Sequence, residues 1–249
     1  MKVSIITVVY NNANFIKDAI ESVLTQSYEN IEYIVIDGAS NDGTVEIIKR
    51  YGNKITHFLS EKDHGIYDAM NKGLKLASGD IIGILNSDDF YISNNVINMV
   101  VEVFLYNNVD SVFADLVYVN PDNLAKVVRY YDSSYFSPSK FSYGWMPAHP
   151  TFFVRRDIYE KYGFFKTDYK IAADYELLVR FLGKHRISYF YLQIPLVKMR
   201  IGGVSTTSLK NNFILNQEIL RACSENGIYS NWLMVLSKYP KKILGLFKR

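Results

Sequence analysis

Apolar runs alternate with helical patterns through the first half of the chain, and this alternation constrains the fold more than any other feature. The runs cover residues 3–9, 31–36, 55–59 and 81–85. Between them, apolar side chains recur every three or four residues, which indicates amphipathic helices. Apolar strands that alternate with helices are typical of a parallel sheet covered on both faces. The sequence therefore predicts an α/β fold with an open, mostly parallel twisted sheet and helices on both faces.

The second half of the chain is less regular. Residues 120–150 are rich in Tyr, Ser, Pro and Asn, which predicts an irregular segment over the site. Around this segment, the spacing of apolar residues predicts helices over 96–105 and 170–182 and a long helix from about 207 to 225. It also predicts a strand over 109–119 and paired strands over 187–200 around Pro195.

Two adjacent carboxylates, Asp88 and Asp89, follow the fourth apolar run with no lysine or arginine beside them in the sequence. Adjacent acids repel each other unless a cation lies close to both. Oxygen ligands of this kind suit Mg²⁺ or Mn²⁺, which in turn holds substrate phosphates. The alternative is that one of the two caps the helix whose pattern starts near Ser93.

Polar residues also close the first two strands, with Tyr10 and Asn11 after one and Asp37 at the end of the other. Ligands of parallel sheets collect at such strand ends, and an acid there can accept a hydrogen bond from a nucleotide. The alternative for Asp37 is an ordinary turn aspartate. Since neither GxxxxGK[ST] nor GxGxxG follows the first strand, the cation at the acid pair is the candidate for holding phosphates.

A further acid, Asp174, precedes an apolar run at helical spacing and therefore lies at or near a helix start. It is a candidate general base for a hydroxyl nucleophile, and the alternative is an acid that stabilises the first turn of the helix. Glu176 lies two positions on, so the two side chains point in different directions on a helix and one of them is expected to serve the site.

Four motifs in order resemble the family 2 glycosyltransferases, which are inverting sugar transferases of the GT-A fold. The motifs are TVVYN at 7–11, DGASNDGT at 37–44, NKG and ASGD at 71–73 and 77–80, and NSDD at 86–89. The resemblance spans roughly residues 3–205. It implies a GT-A domain over 1–205, with a nucleotide-sugar-binding half over 1–119 and an acceptor-binding, catalytic half over 120–205. Residues 206–249 would form a C-terminal helical tail.

The resemblance also implies roles for individual residues. Asp89 would ligate the metal, Asp174 would be the catalytic base, and His149 would lie near the acceptor. The residue before the base is often Glu in this family, and Ala173 stands there in this chain. The late loop at 202–205 is similar to the segment that folds over the diphosphate. The implied nucleotide-sugar contacts are Thr7, Val9, Tyr10, Asn11, Asp37, Ser40, Asn71, Lys72, Asn86, Asp88 and Arg200.

By the same resemblance, the chain would transfer a sugar from a nucleotide-diphosphate sugar, with uridine the expected base. The acceptor would be a hydroxyl of a saccharide or a lipid-linked oligosaccharide in cell-surface polysaccharide synthesis. A sugar-phosphate nucleotidyltransferase is one alternative, but it should carry a Gly-rich basic loop where residues 10–14 read YNNAN. A catalytically silent binding module is the other, and the four aspartates at 37, 88, 89 and 174 argue against it.

Composition limits the partners and the compartment. Lys and Arg number 28 and Asp and Glu 25, with no basic cluster among aromatics outside the tail, so nucleic acid is not an expected partner. The single cysteine, Cys223, excludes an intramolecular disulfide and fits the cytoplasm. No run approaches 18 apolar residues, so we expect no transmembrane helix.

The C-terminal tail is aromatic and basic. It contains Trp232, and its last dozen residues carry Lys238, Lys241, Lys242, Lys248 and Arg249 without an acid. Such a segment is typical of peripheral contact with an anionic membrane, which would place the protein at the inner face of the cytoplasmic membrane. The alternative is a helix packed on the domain with solvated lysines.

Overall fold

The computed structural model describes residues 1–201 and 209–237. Its strands are β1 (Val3–Val9), β2 (Ile31–Asp37), β3 (His57–Ser60), β4 (Ile81–Ile84), β5 (Phe90–Tyr91), β6 (Ser111–Asn120), β7 (Asn123–Tyr131), β8 (Phe153–Arg155) and β9 (Tyr189–Arg200). Its helices are α1 (Ile16–Leu24), α2 (Thr44–Lys49), α3 (Ile66–Leu76), α4 (Val96–Tyr106), α5 (Arg156–Tyr162), α6 (Ala173–Leu178), α7 (Leu209–Glu225) and α8 (Trp232–Leu236).

The strands form one sheet in the order β3-β2-β1-β4-β8-β6-β9-β5, and β7 pairs with β6 outside this row. The pairs β3–β2, β2–β1 and β1–β4 are parallel. Their carboxyl ends therefore meet at one edge of the sheet. This arrangement brings the residues after β1, β2 and β4 together, as the apolar runs predict.

Helices cover both faces of this parallel part. On one face, Ile6 of β1 shares a buried cluster with Met70 and Leu74 of α3. On the other face, Ile5 of β1 shares a second cluster with Ile20 of α1. Each fully buried side chain of this kind contributes about 1.5–3 kcal/mol relative to its exposed state. The predicted α/β class with helices on both faces is confirmed.

The second half of the sheet is mixed rather than parallel. β8 pairs antiparallel with both β4 and β6, and β5 pairs antiparallel with β9. β6 pairs parallel with β9, and the register between them slips where Asp115 lies opposite Pro195. Proline lacks an N–H for the ladder, so it is confined to such irregular places in a sheet.

Three predicted elements of this half were wrong in detail. The segment over 120–150, predicted to be irregular, contains β7, whose side chains are mostly exposed and therefore lack the apolar alternation of a strand. The paired strands predicted over 187–200 are the single strand β9, which begins at Tyr189. The helix predicted over 170–182 is α6 followed by a π-helical turn, Val179–Lys184.

The C-terminal helices lie against the second half. α7 and α8 contact each other, α7 contacts α6, and α8 contacts the 3-10 turn Pro138–Tyr143. In the parts of the chain that the structure describes, we find no helix with the length and apolar character needed to cross a bilayer. The loop at 202–205 and the lysines from position 238 onward lie outside the described residues.

Candidate active site

The loops after β1 and β2 are tied together by hydrogen bonds between side chains and backbone. The Asn11 N–H donates to Ser40 Oγ at 2.7 Å, and the Asn41 N–H donates to Asn11 Oδ1 at 2.9 Å. The Asn12 N–H donates to Thr44 Oγ1 at 2.9 Å. Asn11 has a φ of 47°, a left-handed conformation that asparagine tolerates well. Asn11 and Ser40, both predicted nucleotide contacts, therefore share one fixed surface.

Asp37 is fully buried at the end of β2. Its Oδ2 accepts from the Ser40 N–H at 3.0 Å and from the Ser60 hydroxyl at 2.7 Å. Its Oδ1 is buried without a hydrogen-bond partner in the described part of the chain. Because an unpaired buried polar atom destabilises a fold by about 1–3 kcal/mol, this oxygen is an acceptor suited to a donor from a ligand.

Tyr10 leaves the end of β1 with its ring 65% exposed. A Cβ at Gly38 would lie 2.5 Å from Asp63 Oδ2 and 3.3 Å from the Tyr10 ring, so glycine permits the close approach of these two side chains to the backbone. An exposed aromatic ring such as that of Tyr10 can stack on a planar base.

Thr7 and Val9, by contrast, are buried in the sheet. The Thr7 Oγ1 accepts from the Tyr33 hydroxyl at 3.1 Å, and the Val9 carbonyl accepts from the Gly38 N–H at 2.9 Å. The side chains of these two predicted nucleotide contacts therefore face the protein interior. They would affect a ligand only indirectly, because they fix the position of the end of β1.

Asn71 and Lys72 of α3 are also engaged within the chain. The Asn71 amide donates to the Phe165 carbonyl at 2.8 Å and accepts from the Phe165 N–H at 3.0 Å. Lys72 Nζ forms an ion pair with Glu61 at 2.9 Å and donates to the Lys62 carbonyl at 3.0 Å. Both side chains fix neighbouring loops in place. Direct contact of either residue with a nucleotide-sugar stays a prediction.

Asp89 is the most unusual side chain of the described residues. It is fully buried, and neither carboxylate oxygen has a hydrogen-bond partner in the described ranges. Burial and the neighbouring Asp88 charge raise the pKa of Asp89 well above its ordinary value, against smaller opposing effects of Asn86 and Arg200. A carboxylate in this position is stabilised by a cation, which supplies the charge that hydrogen bonds do not.

The residues around Asp89 are fixed by neighbouring elements. The Asp89 N–H donates to the Asn86 carbonyl at 3.1 Å, and the Asn12 amide donates to Ser87 Oγ at 2.8 Å. The Asn86 Oδ1 is a further buried oxygen with no hydrogen-bond partner among the described residues. The end of β4 is thus joined to the loop after β1, and it presents oxygens that lack donors.

Arg200 is a buried cation next to the backbone of Asp88. Its side chain is 5% exposed, forms an ion pair with Asp18 of α1 and donates to the Asp88 carbonyl. Its guanidinium also lies 4.6 Å from the Phe15 ring and 4.9 Å from the Phe90 ring. These contacts fix the backbone of the acid pair, and contact with a diphosphate stays a prediction.

Asp174 lies in the first turn of α6 with its side chain 18% exposed. Its Oδ2 lies 3.2 Å from Nδ1 of His149, and its Oδ1 accepts from the Tyr175 N–H at 2.8 Å. The structure therefore brings together the predicted base and the predicted acceptor-side histidine. Glu176 is fully buried in an ion pair with Arg180, with an Oε2 to Nη2 distance of 3.0 Å, and does not compete for this role.

Two tyrosines connect the surroundings of Asp89 and Asp174. Burial raises the pKa of Tyr118, and the Asp89 charge raises it further. Burial likewise raises the pKa of Tyr131, and the charges of Tyr118 and Asp174 add to the shift. The Asp89 charge thus acts on Tyr118 and the Asp174 charge on Tyr131, while Tyr118 and Tyr131 also interact with each other.

A divalent cation fits the end of β4, although the described residues contain no group of three or more His, Cys, Asp or Glu side chains that could enclose one. Mg²⁺ is usually held by one or two carboxylates, with the remaining ligands from water and substrate phosphates. Asp89, Asp88 and the Asn86 amide supply hard oxygen atoms of that kind. The unpartnered oxygens of Asp89 are the observation that favours a cation here.

Sequence reasoning missed several residues that shape this site. Asp18 and Tyr118 reach it only through long-range contacts, and their local sequence carries no signal for this placement. Glu218 of α7 accepts hydrogen bonds from the N–H groups of Lys170, Ile171 and Ala172, just before the helix that carries Asp174. None of these contacts produces a periodic or motif-like pattern.

Comparison with known proteins identifies the family. The glycosyl transferase family 2 model matches residues 4–163 of this chain. An uncharacterized glycosyltransferase of Rickettsia typhi is 32% identical over 231 residues, which cover 88% of this chain and 70% of the relative. A PGL/p-HBAD biosynthesis glycosyltransferase of Mycobacterium bovis is 23% identical over 216 residues, 85% of this chain and 82% of the relative.

Solved structures share the fold. S. aureus TarS in complex with UDP aligns with a TM-score of 0.67 at 17% identity, over 92% of this chain and 67% of that one. A longer TarS chain aligns with a TM-score of 0.70 at 18% identity over 92% of this chain, which spans only 41% of its length. The mannosyltransferase PcManGT of Pyrobaculum calidifontis, in complex with GDP-Man and Mn²⁺, aligns with a TM-score of 0.64 at 18% identity, over 99% of this chain and 81% of that one.

These glycosyltransferases confirm the GT-A fold that the sequence motifs predict. The family model covers well over half of the chain, and it includes β1, β2, β4 and both acids that follow β4. The chain belongs to glycosyl transferase family 2.

Proposed function

We propose that this glycosyltransferase moves a sugar from a nucleotide-diphosphate sugar, with UDP-sugars preferred, to a hydroxyl of a saccharide or lipid-linked oligosaccharide in a metal-dependent, inverting displacement. One observation carries the proposal: the fully buried Asp89 has two oxygens without hydrogen-bond partners in the described residues, and it follows β4 at the sheet edge where β1 and β2 also end. A buried carboxylate left unsatisfied in this way is stabilised by a cation that substrate phosphates can share.

The nucleotide would bind at the ends of β1 and β2. Asp37 Oδ1 is the acceptor for a base or ribose donor, and the exposed Tyr10 ring is the stacking surface. Fold neighbours support a donor of this class, since TarS has been solved with UDP and UDP-GlcNAc and PcManGT with GDP-Man.

The diphosphate would lie at the end of β4. Asp89, Asp88 and Asn86 would hold Mg²⁺ or Mn²⁺, and PcManGT has been solved with Mn²⁺. When bound, the cation neutralises charge that develops on the leaving diphosphate. Arg200 would support the two acids without binding the cation. It fixes the Asp88 backbone, and its charge offsets part of the repulsion between the acids.

Asp174 would remove the proton from the acceptor hydroxyl as that oxygen attacks the anomeric carbon. A single displacement from the opposite face inverts the anomeric configuration, so no nucleophile of the protein is needed. His149 Nδ1, at 3.2 Å from Asp174 Oδ2, orients the carboxylate. Its exposed fraction of 32% leaves the imidazole accessible from the acceptor side of the crevice.

We further propose that the acceptor is presented at the inner face of the cytoplasmic membrane for cell-surface polysaccharide synthesis. The C-terminal patch, consisting of Phe213, Tyr229, Trp232, Leu233 and Leu236, exposes large apolar side chains on α7, on α8 and on the segment between them. Phe213 and Trp232 stack with ring centroids 5.7 Å apart. The basic sequence that follows supplies charge complementary to an anionic bilayer.

A flotation assay tests the membrane proposal. Leu233 is 82% exposed in the C-terminal patch, and Leu105 of α4 is 60% exposed outside it. We expect Leu233→Asp to reduce flotation with phosphatidylglycerol-containing liposomes and the control Leu105→Asp to leave it unchanged. Equal flotation of the two variants would contradict the proposal.

The transfer reaction itself is tested with a panel of UDP-GlcNAc, UDP-glucose and GDP-mannose. We expect one donor to raise the melting temperature only with Mn²⁺, and the same donor to release its nucleoside diphosphate in the presence of a saccharide acceptor. A silent binding module would show the shift without release. A nucleotidyltransferase would instead release pyrophosphate from a nucleoside triphosphate and a sugar phosphate. Either result would replace the proposal.

A further inference from the structure

The helix α7 contributes one nearly buried carboxylate to the segment that precedes Asp174. Glu218 is 8% exposed. Its Oε1 accepts from the Lys170 N–H at 2.7 Å, and its Oε2 accepts from the N–H groups of Ile171 and Ala172, both at 2.9 Å. Hydrogen bonds from backbone N–H groups to a carboxylate are stronger than those to a neutral acceptor.

These three N–H groups belong to the residues immediately before α6. Ala172 is the N-cap residue of α6, and no side chain of its own caps the helix. Glu218 therefore holds the N-cap residue and the two residues before it, from a helix more than forty residues further along the chain. The hydroxyl of Tyr67 donates to the Ile171 carbonyl, so the same short segment is held from α3 as well.

Other contacts of α7 with this region are of a different kind. Arg221 forms ion pairs with Asp168 and Glu225, and Glu225 forms one with Lys166 at 2.7 Å between Oε2 and Nζ. The side chains of Arg221 and Glu225 are 40% and 31% exposed. Partly exposed pairs of this type contribute little to stability. Glu218, by contrast, is nearly buried and accepts hydrogen bonds from backbone N–H groups.

We propose that Glu218 is a positioning residue for catalysis, and that it fixes the backbone that aims Asp174 into the crevice. This inference rests on the proposed function, because it assumes that Asp174 is the base. The α7 helix lies beyond residue 163, where the family match ends. In this chain the C-terminal helix thus completes the catalytic segment. Displacement of a reacting group by about 1 Å is enough to lower turnover by about 100-fold.

The test compares Glu218→Gln with the matched control Glu225→Gln, which changes the same residue type on the same helix. Release of nucleoside diphosphate with a saccharide acceptor gives kcat and the donor KM. We expect Glu218→Gln to lower kcat by about 10–100-fold with the donor KM unchanged. For Glu225→Gln we expect kcat within about 2-fold of wild type. Wild-type kcat in Glu218→Gln, or a donor KM that rises as much as kcat falls, would overturn the proposal.

A second measurement separates positioning from loss of folding. Hydrogen exchange of the amides at 170–172 should become faster in Glu218→Gln than in Glu225→Gln, while exchange in β1 and β2 stays unchanged. Equal protection at 170–172 in the two variants would overturn the proposal. If Glu218→Gln is too unstable to purify, Glu218→Asp retains the charge at a shorter reach and is compared in the same way.

The double variant with Asp174→Asn distinguishes this inference from the proposed function. If Glu218 acts through Asp174, adding Glu218→Gln to Asp174→Asn lowers the residual release rate by less than about 2-fold. An added loss as large as in the wild-type background would overturn the inference and leave the role of Asp174 intact. Wild-type activity of Asp174→Asn alone would instead overturn the proposed function.

Discussion

The donor side and the base side of the proposed active site are built in opposite ways. On the donor side, Asp37 ends β2 and Asp89 follows β4, two strands that flank β1, and both acids retain buried oxygens without hydrogen-bond partners among the described residues. On the base side, both oxygens of Asp174 have partners, His149 and the Tyr175 N–H. On the donor side a ligand would supply the missing partners of the carboxylate oxygens. On the base side these partners are already present in the protein.

This difference in hydrogen bonding matches the separate roles proposed for the donor side and the base side. Carboxylates repel a diphosphate, so acids on the donor side could serve it only through a cation that arrives with the substrate. A general base needs a fixed direction toward the hydroxyl, so its own partners must be in place beforehand. The donor side is therefore expected to respond to metal and nucleotide, and the base side to changes in geometry.

The largest effect is expected on the donor side. Asp89→Asn, or excess EDTA with the wild-type protein, should reduce release of nucleoside diphosphate to background, because the diphosphate loses its neutralising charge. Asp122→Asn, an exposed acid in the turn before β7, is the control and should retain wild-type release and metal dependence. Full turnover of the wild-type protein in excess EDTA would remove the cation from the mechanism.

The next effect is expected at the base. Asp174→Asn should lower kcat by about 10²–10⁴-fold, the usual contribution of a positioned general base. Donor binding, measured by the Mn²⁺-dependent rise in melting temperature, should be retained because no donor contact is removed. Wild-type turnover in this variant would exclude Asp174 as the base and would break the contrast between the two sides.

A smaller effect is expected at the partner of the base. His149→Gln removes the imidazole 3.2 Å from Asp174 Oδ2 and should lower kcat by about 10-fold, with the donor KM unchanged. Steady-state kinetics at saturating donor measures this change. If His149→Gln alters the donor KM and leaves kcat unchanged, His149 contributes to donor binding rather than to the position of the base.

The smallest effect concerns stability rather than turnover. Burial alone would raise the pKa of Glu32 on β2, but donors from Lys2, Ser4 and Ser78 outweigh it and lower the pKa to about 2. The pKa of Glu225 on α7 is likewise lowered to about 2, against burial, chiefly by Lys166 and Arg221. A carboxyl whose pKa is lower in the folded state stabilises the fold above its ordinary pKa of 4.5, and this contribution is lost as the pH falls toward 2.

Chemical denaturation at pH 6, 4 and 3 measures both contributions. Glu32→Gln should lower the free energy of unfolding at pH 6 by about 2–3 kcal/mol, a difference that shrinks at pH 3. Glu225→Gln should lower it by less than about 1 kcal/mol, because this pair is partly exposed and is screened by salt. A larger loss for Glu225→Gln than for Glu32→Gln would show that α7 stabilises the fold more than the parallel sheet does.

The donor side could be predicted from the sequence because its information is local. Apolar strands, and the polar residue that ends each of them, lie next to each other in the chain, so Asp37 and Asp89 could be assigned to one sheet edge. Conversely, Asn71 and Arg200 could be named as nucleotide-sugar contacts, but their partners within the chain could not be predicted. Phe165 and Asp18 contact them only after folding.

The base side could be predicted only in part. Asp174 and His149 were found separately by resemblance, and their contact across 25 residues of sequence was not predicted. β7 was missed because its exposed side chains carry no apolar alternation. Glu218 was missed because a carboxylate that caps a distant backbone segment looks like any surface acid on an amphipathic helix.

The contrast between the two sides depends on a cation at Asp89 that joins protein and diphosphate. Calorimetric titration of UDP and GDP into the wild-type protein and Asp89→Asn, each with and without Mn²⁺, tests it directly. We expect one nucleotide to bind the wild-type protein at least about 10-fold more tightly with Mn²⁺, and Asp89→Asn to lose this difference. Equal affinity of the wild-type protein with and without Mn²⁺ would contradict the central claim.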